Sequence, residues 1–353
     1  MSLAERATRL TAWAIEEATR RGFVPAGNEL LPVSGDASFR RYFRLPLAEG
    51  RPPHGSLIAV DAPPDKENLR PFVAIARALC GNGTRAPEVL AVDHAQGFML
   101  LEDFGDRLLL PALNADSADA LYTLAMRELV RMQDVVDVHG YALPPYDRAR
   151  LVAEMELFRD WFVKVHLQLE LSAAELAVLD GACALIADDN LAQPTVFVHR
   201  DYHSRNLMLL DDAADELGII DFQDAVTGPV TYDLVSLLRD AYVTWPAERV
   251  AGWARQFARM LRDERRIDVD DATFLRWFDW MGAQRHLKVV GIFARLNHRD
   301  GKAGYLDDIP RVFAYLLAEI RDYPQLAPLS QLLRERIVPA YLAKTPSAAS
   351  ALG

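Results

Sequence analysis

Apolar residues gather in short, strand-length runs over the first hundred positions and recur mostly at helical spacing thereafter. Leu3, Ala7, Leu10, Ala14 and Ala18 share one face of a helix that opens the chain and runs to about Arg21. Strands are predicted at 30–33, 39–45 and 56–60, with a Pro/Gly-rich loop at 47–55. A helix at 65–79 turns Phe72, Ile75, Ala76 and Leu79 inward. The strand at 98–101 runs into Glu102-Asp103-Phe104-Gly105, an acidic and flexible ending that suits a hinge.

Beyond that point helices are predicted at 117–137, 148–170, 173–188, 233–242, 246–262, 271–297, 310–320 and 331–342. The Ser/Ala-rich tail from Thr345 is expected to fray. One β-hairpin interrupts the run, with strands at 207–210 and 217–220 and an acidic turn at 211–216. No internal repeat is present. The pattern is α+β: a small β-rich N-lobe at 1–103 and a larger, mainly helical C-lobe at 104–353.

The interrupting hairpin carries the chemistry. His199-Arg200-Asp201 and Asn206 precede its first strand, and Asp221-Phe222 closes its second. Phosphoryl transfer asks for a placed hydroxyl and neutralised charge, with little covalent work from the protein. Asp201 can take the hydroxyl proton, and Asn206 and Asp221 can offer oxygens to magnesium. Either Asp alone could be a hairpin cap; the string His-x-Asp-x-x-x-x-Asn, a hairpin and Ile-Ile-Asp-Phe is specific.

At 353 residues, two packed lobes are the reasonable expectation. The net charge of −11 argues against a nucleic-acid partner, because phosphate backbones need a basic face. No apolar run reaches the roughly 18 residues that span a bilayer, and the first residues lack a signal-peptide core. Cys80 and Cys183 lie far apart without a CxxC pattern, as buried free thiols in a reducing cytosol would. A cytoplasmic protein with no obligate protein partner is expected.

With these residues in view, the chain resembles the aminoglycoside-phosphotransferase/choline-kinase branch of the bilobal protein-kinase-like fold over nearly its whole length. Ser34-Gly35-Asp36-Ala37-Ser38-Phe39-Arg40-Arg41-Tyr42, Asp61-Ala62-Pro63-Pro64-Asp65-Lys66-Glu67 and Gly282-Ala283-Gln284-Arg285-His286-Leu287-Lys288 look like the anomeric kinases of cell-wall amino sugars. Arg299-Asp300-Gly301-Lys302 before Tyr305 adds to that likeness. The resemblance implies ATP and Mg2+, and phosphorylation of N-acetylmuramate or N-acetylglucosamine at the anomeric hydroxyl in peptidoglycan recycling. Another acceptor (an aminoglycoside, choline, homoserine or a different sugar) and a catalytically dead nucleotide-binding module are the competing readings.

The nucleotide is expected at Ser34, Gly35, Asp36, Ala37, Ser38 and Arg41, with Glu102 and Phe104 at the adenine edge. Arg40 and Arg41 either hold phosphate or are solvated. A lysine is expected on the third strand, yet Val60 occupies its place, with Lys66 and Glu67 beyond and Arg44 on the strand before. Asp233, ahead of an apolar helix, resembles a structural Asp that braces the catalytic loop. For the acceptor, His203, Arg285, Lys288, Arg295 and Arg299 are candidates. A basic stripe on a largely apolar helix needs acidic company, from a sugar carboxylate or from neighbouring Asp and Glu.

Overall fold

The computed structural model describes residues 2–33, 39–48, 55–210, 215–264 and 267–352. The chain forms two compact units, residues 1–143 with 204–225, and residues 144–203 with 226–353. The expected cut after Asp103 falls inside the first unit, since the interrupting hairpin and the helix Ala118–Met132 pack there.

The first unit opens with α1 (Leu3–Arg20), started by a capping box in which Ser2 and Glu5 exchange hydrogen bonds. Its sheet contains β1 (Leu31–Val33), β2 (Arg41–Pro46), β3 (Ser56–Asp61), β4 (Val89–Asp93) and β5 (Phe98–Glu102), antiparallel in the order β1-β2-β3-β5-β4. Leu10, Ala14 and Ala18 of α1 pack on Leu45, Leu57, Ala59, Phe98 and Leu100. Strand period two therefore puts Arg41, Phe43 and Leu45 on the α1 face, and Tyr42 and Arg44 on the other. On the α1 face Asp61 is fully buried; it accepts from Arg6 Nε at 2.8 Å and is also paired with Arg41. A carboxylate so far from water needs that doubled pairing.

Strand β4 had no counterpart in the sequence pattern. It is a half-exposed edge with only Ala91 buried, so its alternation is faint and pairing with β5 defines it. Helix α2 (Leu69–Gly81) starts later than its apolar spacing implied, because Asn68 caps it by accepting from Arg70 N–H at 3.0 Å. Cys80 is exposed on that helix, against the expectation of burial; it and Cys183 are both free. Short α3 (Leu109–Ala112) and α4 (Ala118–Met132) follow. The hairpin of β7 (Leu207–Leu209) and β8 (Leu217–Ile219) completes the unit.

In the second unit α5 (Arg148–Leu157) continues as a π-helical stretch, Phe158–His166, followed by α6 (Ala173–Leu191). Strand β6 (Thr195–Val198) pairs antiparallel with β9 (Val226–Pro229), bringing the chain on either side of the hairpin together. Next come α7 (Tyr232–Leu238), α8 (Ala247–Asp263), α9 (Asp271–Asp300) and α10 (Ile309–Glu319). Asp270 caps α9 by accepting from Ala272 and Thr273, and Gly301 ends it at φ +69°. Between Trp280 and Ala294 this helix is buried on nearly every side. Helices α11 (Ala327–Leu332), α12 (Val338–Lys344) and α13 (Ala349–Leu352) finish the chain, with a π-helical turn at Leu333–Ile337. The tail does not fray through Leu352: Ala348 is buried and α13 packs on α10. No helix among the described residues is long and apolar enough to cross a membrane.

At Gly291 the backbone of α9 meets the junction where α5 turns π-helical. A Cβ there would lie 2.3 Å from the Leu157 carbonyl carbon and 2.5 Å from Phe158 N. Backbone cannot step aside as a flexible side chain can. Gly291→Ala is therefore expected to destabilise the protein by about 1–3 kcal/mol. The urea midpoint of unfolding measures it, and an unshifted midpoint would show that α9 has room to move.

Candidate active site

In the second unit, β6 delivers the chain to His199-Arg200-Asp201, and a buried carboxylate holds it there. Asp233, in the first turn of α7 and fully buried, accepts from His199 N–H at 2.7 Å and Arg200 N–H at 2.9 Å. This is the bracing anticipated for it. Burial pushes the Asp233 carboxyl up to about 7 even though two amides favour its charged form. His199, fully buried, accepts the Asp201 N–H on Nδ1 at 3.2 Å, so its ring serves the loop's shape. Arg200 adopts φ +79°, a conformation costly for a residue with a Cβ. That twist turns Asp201 out of the strand direction.

Asp201 sits deep, with part of its surface open. Burial alone would raise its carboxyl. Lys288 first, with Arg285 among its other neighbours, outweighs burial and holds it below the usual carboxylate range. Asp201 is thus an ionised acceptor at neutral pH, as a general base must be.

The basic residues of α9 divide into three kinds. Lys288 donates to the Tyr232 hydroxyl at 2.9 Å and pairs with Glu154 at 3.2 Å. Glu154 also accepts from Arg200 Nη2 at 2.5 Å and from the Tyr146 hydroxyl, while Gln284 Nε2 lies 3.3 Å from that hydroxyl. Burial would raise Glu154, but Lys288 and Arg200 lower it, so this network is charged and internally balanced. Arg285 is different. Only 5% exposed, it has no hydrogen-bond partner at Nε or Nη1 among the described residues. Its charge nevertheless reaches both Asp201 and Asp233.

Arg295 and Arg299 form the third kind. Arg295 is half-buried, with its guanidinium lowered by burial and by the neighbouring Arg299. Arg299 is exposed and bonded to Asp300 at 2.8 Å. At 1.5 Å per residue they lie about 15 and 21 Å along the helix from Arg285. Helical spacing aligned the stripe but could not show that its two ends serve different places. His203, partly buried, meets the Tyr242 ring edge-on at 5.4 Å. Phe278 and Trp280 are core.

The first unit holds the other two motif residues. Asn206 and Asp221 flank the hairpin at its open end, where Ile220 N–H donates to the Asn206 carbonyl at 3.1 Å. Their side chains approach to 3.4 Å, and Gln223 Nε2 donates to Asp221 at 2.7 Å. Asp221 has φ +66°, a region that Asp tolerates better than most residues. The turn fixes an oxygen-rich pair beside an apolar strand. Two protein oxygens suit Mg2+, which keeps most of its shell for water and phosphate. Among the described residues no cluster of three or more His, Cys, Asp or Glu side chains forms a metal site, and magnesium needs none.

Phe104 supports this hairpin from behind, packed on Met208 and Leu210 with Arg85 over its ring at 5.3 Å. Gly218 is required opposite it, since a Cβ would fall 2.5 Å from the ring. The Glu102 carboxylate is bonded to Arg85 at 2.8 Å. Of the expected phosphate contacts, Ser34, Gly35, Asp36, Ala37 and Ser38 lie outside the described residues. Arg41 lies on the α1 face, bound to Asp61. Arg44 is on the opposite face but engaged with Asp103 at 2.6 Å and Asp106 at 2.9 Å. Glu154, Tyr146 and Tyr232 were missed; their contacts come from separate helices and loops, which no local spacing links.

The family model of the Phosphotransferase enzyme family matches residues 29–269. A Pseudomonas aeruginosa N-acetylmuramate/N-acetylglucosamine kinase is 46% identical over 313 residues, covering 88% of this chain and 89% of that protein. A Pseudomonas putida protein of the same name is 44% identical, covering 94% and 96%. Among solved structures, a choline/ethanolamine kinase family protein from Mesorhizobium loti superposes with a TM-score of 0.60 at 15% identity, over 92% of this chain and 99% of that one. With the model matched over most of the chain, and two such relatives aligned nearly end to end, this protein belongs to the Phosphotransferase enzyme family.

Proposed function

We propose that the protein transfers the terminal phosphoryl group of ATP to the anomeric hydroxyl of N-acetylmuramate or N-acetylglucosamine. The observation that carries this reading is the ionised Asp201 near Arg285, whose Nε and Nη1 have no hydrogen-bond partner among the described residues, in a chain 46% identical to a kinase named for those sugars. An aminoglycoside is polycationic and would favour an acidic pocket; cations surround Asp201 instead. A dead nucleotide-binding module would have no need to keep a buried carboxylate charged. ATP supply places the reaction in the cytoplasm.

In this reading Asp201 accepts the proton of the sugar hydroxyl, and the loop braced by Asp233 keeps its carboxylate in place. Asn206 and Asp221 hold Mg2+, which when bound supplies charge neutralisation on the phosphates. Lys288 acts at one remove, keeping Asp201 ionised while itself bound to Glu154 and Tyr232. Arg285 faces the acceptor and takes the lactyl carboxylate that distinguishes muramate from glucosamine. His203 lines the acceptor's path. Arg295 and Arg299 have no part in transfer.

Replacing Asp201 with Asn should lower kcat by about 100- to 10,000-fold with nucleotide affinity preserved, read by coupled ADP release and calorimetry. Retained turnover would remove Asp201 from the role of base. Asp221→Ala should weaken magnesium-dependent nucleotide binding; unchanged affinity counts against its ligand role.

The acid limb of kcat/KM should lie below the ordinary carboxyl range, because the base must lose its proton to work and its surroundings favour that loss. Lys288→Met takes away a lowering charge and should move that limb toward higher pH; an unmoved limb would contradict the link between them. Arg285→Met separates the acceptors. It should lower kcat/KM for N-acetylmuramate by about 10- to 100-fold, as loss of a charged hydrogen bond does, and leave N-acetylglucosamine within about 3-fold. Equal losses on both sugars would assign Arg285 to the phosphate or to the fold.

A further inference from the structure

The third strand lacks the lysine that phosphate binding calls for, and the first unit offers a substitute in another place. Val60 stands at the expected position, and strand register sets Tyr42 directly across from it. Both side chains therefore leave the sheet on the face opposite α1. Arg40 immediately precedes β2, hydrogen-bonds the Tyr42 side chain and pairs with Glu67 at 3.0 Å. Its side chain is only 10% exposed.

Glu67 stands just ahead of α2, the helix that follows β3. In protein kinases the strand lysine pairs with a glutamate on the helix that follows. Here the sheet cation and the carboxylate near that helix still meet, but the cation enters from β2. Phe72 of α2 packs against Phe222, the neighbour of Asp221, with ring centroids 4.8 Å apart. Asp221 is near enough to Tyr42 for its charge to disfavour the phenolate. The alternatives are engaged elsewhere: Arg41 on Asp61 across the sheet, and Arg44 on Asp103 and Asp106. Lys66 lies over the Phe39 ring at 4.6 Å, with no acidic partner to position it among the described residues.

We propose that Arg40, positioned by Glu67 and Tyr42, is the cation that contacts the phosphates of the nucleotide in place of a third-strand lysine. An arginine suits this role, because its guanidinium has five N–H donors, enough to serve Glu67, Tyr42 and phosphate oxygens together. It also stays charged in a largely buried position, where a lysine more readily loses its proton. Glu67 is a positioning residue, acting through Arg40.

This inference rests on the phosphotransferase reading, and its test is arranged so that the two can fail separately. Calorimetry with Mg2+ and a non-hydrolysable ATP analogue is run first on the wild type, with no sugar present. A wild type that binds no nucleotide overturns the functional reading and the inference with it. Given binding, Arg40→Met should lower analogue affinity and kcat/KM for ATP by about 100-fold, as loss of a phosphate-directed donor does, with KM for the sugar within about 3-fold. Arg40→Lys should recover part of the loss. Glu67→Gln should shift KM for ATP in the same direction by a smaller factor. Nucleotide parameters that stay at wild-type values in Arg40→Met overturn the proposal alone. So does a loss in Arg40→Met and Arg40→Lys alike that tracks a lowered melting temperature, since that pattern belongs to a structural ion pair. If Arg40→Met does not fold, Glu67→Gln decides: a raised KM for ATP at unchanged melting temperature supports the role, and an unchanged KM overturns it.

Discussion

The charge on Asp201 explains a set of buried ionic groups in the second unit. A carboxylate set this deep would take up a proton unless cations compensate, and a protonated base has nothing to accept with. Lys288 and Arg285 supply much of the compensation. Cations in a buried region need partners of their own, and Glu154 serves Lys288 and Arg200 together. The hydroxyls of Tyr146 and Tyr232 complete that network. This network of buried polar groups thus follows from one requirement, an ionised carboxylate away from bulk water.

Backbone strain falls at or beside the candidate site residues. Among the described residues three non-glycine residues have positive φ, and two of them are Arg200 and Asp221. Each sits at the end of an ordered segment, Arg200 after β6 and Asp221 after β8. A strand aims side chains to alternate faces only; a left-handed residue breaks that alternation and points a carboxylate along the chain direction. Asp233 makes the first of these tolerable by capturing the two amides that the twist exposes.

The legible part of the sequence was the part whose signals are local. The hairpin strands between Asn206 and Asp221 were legible because each is a short apolar run beside an acidic stretch. Helices α1, α8 and α10 declared themselves by apolar spacing and came within one residue or two of the predicted bounds. Strand β4 was hidden because an edge strand with one buried side chain has little alternation to show. The stripe on α9 shows a different limit. Periodicity reports which residues share a face, and says nothing of which of them finds a carboxylate on another helix. The choice between Arg40 and Arg41 turned on one step of strand register. That step puts Arg41 on the α1 face, beside a buried Asp61 that nothing local predicts.

In the proposed reading one acceptor site takes both an acidic and a neutral sugar, and the position of Arg285 offers a reason. A guanidinium fitted tightly to a substrate carboxylate would normally penalise a neutral analogue, because losing the anion strands a buried charge. Arg285 is not stranded in that way. Its charge is balanced at longer range by Asp201, so a neutral sugar leaves the local charge as it was before binding. The carboxylate of muramate then adds hydrogen bonds that Nε and Nη1 lack among the described residues, without being a condition for catalysis. A site in which Arg285 were paired directly to a protein carboxylate would gain nothing from muramate, and one lacking Asp201 nearby would exclude glucosamine.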